Sequence, residues 1–168
     1  VVAMLAYFPG GALADRFEAR TMMTAALVIS AFGGVYYATV PSIGGLVVLF
    51  GFWGLTTILF FWAAMIRATR VWGGDEDQGK AFGILDGGRG LLAAVLASGT
   101  VAVFGALLPE DLASVTLEQR AEALKQVIWI FTGVTVLAAG IVWMCVPGES
   151  EQSASDGEEG SAVSLSSI

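Results

Sequence analysis

Asp86 and Arg89 stand three residues apart in Gln78-Gly79-Lys80-Ala81-Phe82-Gly83-Ile84-Leu85-Asp86-Gly87-Gly88-Arg89-Gly90, a stretch that runs straight into a long apolar segment. At that spacing on a helix the two side chains can pair. An ionised residue near a bilayer centre costs about 2.5–3.5 kcal/mol on insertion scales, so such residues face a bundle interior or a watery cavity. The chemistry on offer is recognition and charge movement. Arg89 is a candidate ligand for an anionic solute, or a gate, and Asp86 is its partner or a proton-responsive group. A purely structural ion pair near the membrane surface is the competing reading. Gly79, Gly83 and Gly87 recur every four residues and line one helical face, which lets a neighbouring helix approach closely. Arg67 and Arg70 close the preceding apolar run, and a second charged patch, Asp15-Arg16-Phe17-Glu18-Ala19-Arg20, follows Gly10 and Gly11.

Reactive chemistry is poorly supplied. The chain has no His, the commonest general base and metal ligand, and no nucleophile–base or paired-carboxylate arrangement. Cys145 is the single cysteine and lies in an apolar run, so neither a disulfide nor a thiolate metal site can be built within the chain. The glycine-rich run before residue 90 follows no strand and enters a membrane segment, which argues against a dinucleotide loop. No catalytic residue, metal or cofactor is expected, and the chain is read as a non-enzyme.

The elements that must position these residues are membrane helices. Of 168 residues, 56% are hydrophobic and only 14% charged, with a mean hydropathy of +0.77, which is too apolar for an ordinary soluble domain. Spans are expected at 21–40, 43–66, 81–108 and 126–146, with the end of a further one at 1–8, each complete one long enough for a hydrocarbon core about 30 Å thick. The fold class is therefore an all-α membrane protein, with a helical bundle over 1–147. After Pro147-Gly148 the composition turns to Ser, Gly, Glu and Asp, which cannot offset the entropy of ordering, so 149–168 is expected to be a disordered acidic loop or tail. That segment also carries much of the net charge of −7.

Sidedness follows from the cations. Arg16, Arg20, Arg67, Arg70 and Lys80 fall on one side, whereas the other has Arg120 and Lys125 against Glu110, Asp111, Glu118 and Glu122. By the positive-inside rule, loops 9–20 and 67–80 and the tail 149–168 are expected to be cytoplasmic, in a bacterial-type inner membrane. Tyr36, Tyr37 and Trp129 fall near outer ends and Trp72 and Trp143 near inner ends, at headgroup depth. Trp53 and Trp62 lie deeper and read as packing. Thr116-Leu117-Glu118-Gln119 reads as a capping box opening a helix. No basic stripe suggests nucleic acid as a partner.

The stretch Gly11-Ala12-Leu13-Ala14-Asp15-Arg16-Phe17-Glu18-Ala19-Arg20 resembles the signature loop of the major facilitator superfamily, G-x-L-A-D-R-x-G-R-[RK], between transmembrane helices 2 and 3. Gly11, Leu13, Ala14, Asp15, Arg16 and Arg20 match; Glu18 replaces the usual Gly and Ala19 the usual basic residue. The resemblance implies the amino-terminal half of such a transporter from helix 2 to helix 6, four complete helices and the end of a fifth. It also implies a signature-loop gating set of Gly11, Asp15, Arg16 and Arg20. In this set Asp15 and Arg20 latch the cytoplasmic side in the outward-facing state, and Gly11 permits the turn. The Arg67-x-x-Arg70 close and the Gln78–Gly90 opening are similar to a sugar-phosphate or organic-anion branch of these carriers.

The expected function is secondary active transport of a small solute by alternating access, here as a fragment. Expected partners are the lipid bilayer, a small solute for which an organic anion is one candidate, a coupling proton or other ion, and a missing second half of the same protein. Three alternatives stay open: a non-transporting polytopic sensor or scaffold, a small subunit dimerising through the Gly79/Gly83/Gly87 face, and a carboxy-terminal half with a degenerate signature loop.

Overall fold

A computed structural model describes residues 2–14, 16–74, 76–108 and 115–148. Asp15, which the latch expectation needs, and the tail 149–168 lie outside the described residues. All regular structure among the described residues is helical: α1 (Val2–Ala14), α2 (Ala19–Tyr37), α3 (Ile43–Gly73), α4 (Gln78–Ala106) and α5 (Leu117–Cys145). The last four are long and apolar enough to cross a membrane, and a helix satisfies its own backbone polar groups where no water can. The bundle is thus an all-α membrane fold.

The helix ends differ from the limits of the apolar runs in an instructive way. α5 begins at Leu117, well before 126, because Thr116 and Gln119 form the expected capping box. The Thr116 Oγ1 accepts from the Gln119 N–H at 3.2 Å, and the Gln119 Oε1 accepts from the Thr116 N–H at 2.9 Å. Hydropathy marks where a helix enters hydrocarbon; caps mark where it starts. α3 likewise runs beyond 66 to Gly73, and Gly74 ends it with φ +56° and ψ −163°, a region open essentially only to glycine. Midway along α3, Thr56–Trp62 winds as a π-helix, which no apolar pattern announces.

Two packing centres hold the bundle. On the inner side Ala14, Met22, Met23, Ala64 and Met65 are buried together, so α1, α2 and α3 meet beneath residues 16–18. Through the middle and outer half α2 lies against α5. There a Cβ on Gly34 would collide with the side chain of Thr132, and one on Gly33 with the indole of Trp53. Small residues let these backbones close, the usual means of helix association where hydrophobicity offers no net drive. Tyr37, Phe50 and Trp53 form edge-on ring pairs at 5.7–6.4 Å, and Trp53 donates to the Ser30 carbonyl at 3.0 Å.

α4 stands apart. Ala81 is its one buried residue, and a Cβ at Gly79, Gly83 or Gly87 would meet nothing within 4 Å. The face expected to seat a helix is open among the described residues.

Candidate functional site at the inner end of the bundle

Among the described residues, Arg16, Arg20, Arg67 and Arg70 lie near the inner ends of the helices, with Asp86 and Arg89 further along α4. α1 ends at Ala14, and the Leu13 carbonyl then accepts from the Arg16 and Phe17 amides at 3.0 and 3.1 Å. Gly11 lies inside α1 and not in the turn, which corrects the expectation that it permits the reversal. The chain reverses after the helix has closed on Leu13. Gly10, beside Gly11, packs on the π segment, where a Cβ would make ordinary contact, 3.5–3.6 Å, with the Ile58 and Leu59 carbonyl oxygens.

Arg67 braces this turn. Its Nη1 donates to the Ala14 carbonyl at 2.5 Å and to the Phe17 carbonyl at 3.1 Å. A guanidinium is well suited to the end of a helix, because it supplies planar donors and positive charge where carbonyls lack partners. Sequence alone explained Arg67 by topology. Its partners lie some fifty positions away and no local pattern reveals them.

The departure at Glu18 also finds an explanation. Its carboxylate accepts from the Thr21 hydroxyl at 2.8 Å and lies 3.6 Å from the Arg20 guanidinium. Arg20 stacks over the Trp143 ring at 4.9 Å, and a Cβ on Gly148 would press against Glu18 and Arg20. The extra negative charge in the loop is thus held locally, and the group ties the start of α2 to the end of α5. Arg16 is exposed.

Asp86 and Arg89 pair at 3.0 Å, both well exposed. Arg89 also lies 5.0 Å from the Trp62 ring centroid. Trp62 is therefore more than packing: it is the platform on which an α4 cation rests against α3, an attraction that strengthens as water is excluded. The expected pairing of Asp86 and Arg89 is present, and the aromatic support is what the sequence reading missed.

Two cavities differ in kind. One of about 470 Å³ in the outer half lies between α2, α3 and α5 and is lined by Tyr37, Trp53, Thr132 and Thr135 among others. Two of its threonines spend their hydroxyls on their own helix, Thr132 on the Ile128 carbonyl and Thr135 on the Phe131 carbonyl, both at 2.8 Å. The other, about 300 Å³, sits between α1 and the inner part of α3, against Gly11, Trp62, Arg67 and Arg70. Among the described residues no group of His, Cys, Asp and Glu is placed to hold a metal ion.

The family model described as Major Facilitator Superfamily matches residues 1–167. The chain is 32% identical to "Inner membrane protein YqcE" of Escherichia coli K12, over all of this chain and 37% of that protein. It is 26% identical to "Inner membrane protein YihN" of the same organism, over 92% of this chain and 34% of that protein. The chain spans about a third of the length of these curated relatives. No solved structure matches it.

Proposed function

Because this chain belongs to the major facilitator superfamily and is an integral inner-membrane protein, we propose that it forms one part of a secondary active transporter that moves a small solute by alternating access. Members of this family are transporters and not enzymes. The observation that carries the reading is the family match along the whole bundle, signature loop included. In such carriers two halves rock around a midplane site, so a third of a relative's length supplies only part of that site.

Within this reading the inner cluster is the moving joint. The loop around Asp15, Arg16 and Arg20 faces the cytoplasm and latches onto the other half, while Arg67 braces the end of α1 and Trp143 backs Arg20. Arg89, exposed on α4 and steadied by Trp62 and Asp86, contributes to a solute path or gate that favours organic anions. The coupling ion is a proton or another cation, with Asp86 as the acid best placed to respond to it. The open Gly79/Gly83/Gly87 face of α4 receives a helix from elsewhere in the longer protein.

The test is uptake by the full-length protein. Arg89→Ala should weaken uptake of anionic solutes more than that of neutral ones at equal membrane expression. Equal loss for both would reduce Arg89 to a structural ion pair.

A further inference from the structure

The 300 Å³ pocket between α1 and α3 has a basic lining. Arg67 and Arg70, one helical turn apart on α3, both line it, and among the described residues no carboxylate does. Arg67 is fixed in the wall by the Ala14 and Phe17 carbonyls. Arg70 is exposed and has no hydrogen-bond or ion-pair partner among the described residues. The guanidinium of Arg89, paired with Asp86 at 3.0 Å, rests on the ring of Trp62, which is itself part of the wall.

Two backbone features keep this space open. The π-helical turn at Thr56–Trp62 widens α3 locally, a distortion that recurs at functional sites; Ile58 and Trp62 of that turn line the pocket. Across from them Gly11 presents no side chain, and a Cβ built there would meet nothing within 4 Å. Gly10 packs while Gly11 leaves room. The volume suits a hydrated carboxylate or phosphate group, and a guanidinium fork matches either one bidentately.

We infer that this pocket is an anion-binding site at the cytoplasmic mouth of the bundle, with Arg70 as the direct ligand to a phosphate or carboxylate group. Arg67 lines the wall beside it, and the Trp62 ring forms the apolar floor. The anion has two sources, a free solute in the cytoplasm or the headgroup of an inner-leaflet phospholipid. The site is independent of which solute is carried, since binding is read without uptake. Failure of binding with transport intact would remove this site alone, and binding without transport would remove the transport reading alone.

The experiment is calorimetric titration of inorganic phosphate, at constant ionic strength, into the full-length protein in nanodiscs of phosphatidylcholine. The expected result is saturable binding that Arg70→Gln weakens about tenfold, as loss of a charge-assisted contact should. Gly11→Leu, which fills the pocket, should abolish it, while Lys80→Gln, a change to a cation paired with Asp77, should leave it alone. A second arm uses nanodiscs containing phosphatidylglycerol. If phosphate binding disappears there for the wild type, and phosphatidylglycerol raises the unfolding temperature of the wild type more than that of Arg70→Gln, the lipid headgroup is the natural occupant. Phosphate binding that persists in both discs assigns the site to a free anion. The inference is overturned if phosphate fails to bind and phosphatidylglycerol stabilises wild type and Arg70→Gln equally, or if Arg70→Gln and Lys80→Gln weaken binding alike.

Discussion

Two helical faces of this bundle carry the same device, and only one of them is occupied within the described chain. On α2, Gly33 and Gly34 are pressed against Trp53 and Thr132, so tightly that a single added methyl would clash. On α4, Gly79, Gly83 and Gly87 stand open with nothing within 4 Å. Small residues at helical spacing therefore announce that backbones can approach, and say nothing of which backbone does. The closed face builds the scaffold, and the open one is free for an element from outside the described residues.

Substitutions on the two faces separate their roles. Gly34→Leu carries the largest expected effect, because several carbon atoms must enter space already filled by Thr132. A loss of about 3 kcal/mol, or of folded protein altogether, is expected, read as the yield of monodisperse protein and its unfolding temperature. Gly83→Leu should change the intrinsic stability of this bundle by far less while reducing uptake by the full-length protein, since it fills the open face. Equal destabilisation by the two would erase the distinction.

Arg67→Ala comes next. It removes two charge-assisted hydrogen bonds to the Ala14 and Phe17 carbonyls and should cost about 1.5–3 kcal/mol. Arg67→Lys should recover little of this, because an ammonium cannot reproduce the planar fork. Trp143→Leu removes the ring beneath Arg20 and should cost about 0.5–1 kcal/mol at this partly exposed position. Asp86→Asn breaks a well-exposed pair and should shift stability by less than about 0.5 kcal/mol, so a marked loss of uptake in that variant would speak for a functional carboxylate.

Much of the architecture is written in simple periodicities. Long apolar runs separated by charged or glycine-rich turns announce membrane helices, and Thr116 with Gln119 announces where the last one begins. The signature loop points to the family because its charges and small residues are contiguous in the chain. Side chains whose partners are remote are another matter. Nothing near Arg67 indicates that it will brace the end of α1, and Trp62 and Arg89 meet only because α3 and α4 are antiparallel neighbours. The π turn at Thr56–Trp62 is hidden for a different reason. Its hydropathy is the same whether each hydrogen bond spans four residues or five, so hydropathy does not register the change. Gly11 shows the limit of motif reasoning from the other side: a glycine assigned to a turn lies within a helix and is open to a pocket.

In the proposed transporter the inner loop works as a latch. Accumulation of organic anions by the full-length protein in proteoliposomes tests it most directly, comparing wild type with Asp15→Asn at equal reconstituted amounts. The account predicts uptake above protein-free vesicles for the wild type and loss of most of it in the variant. Accumulation by Asp15→Asn equal to that of the wild type would contradict the latch, and no uptake of any solute by the wild type would contradict transport itself.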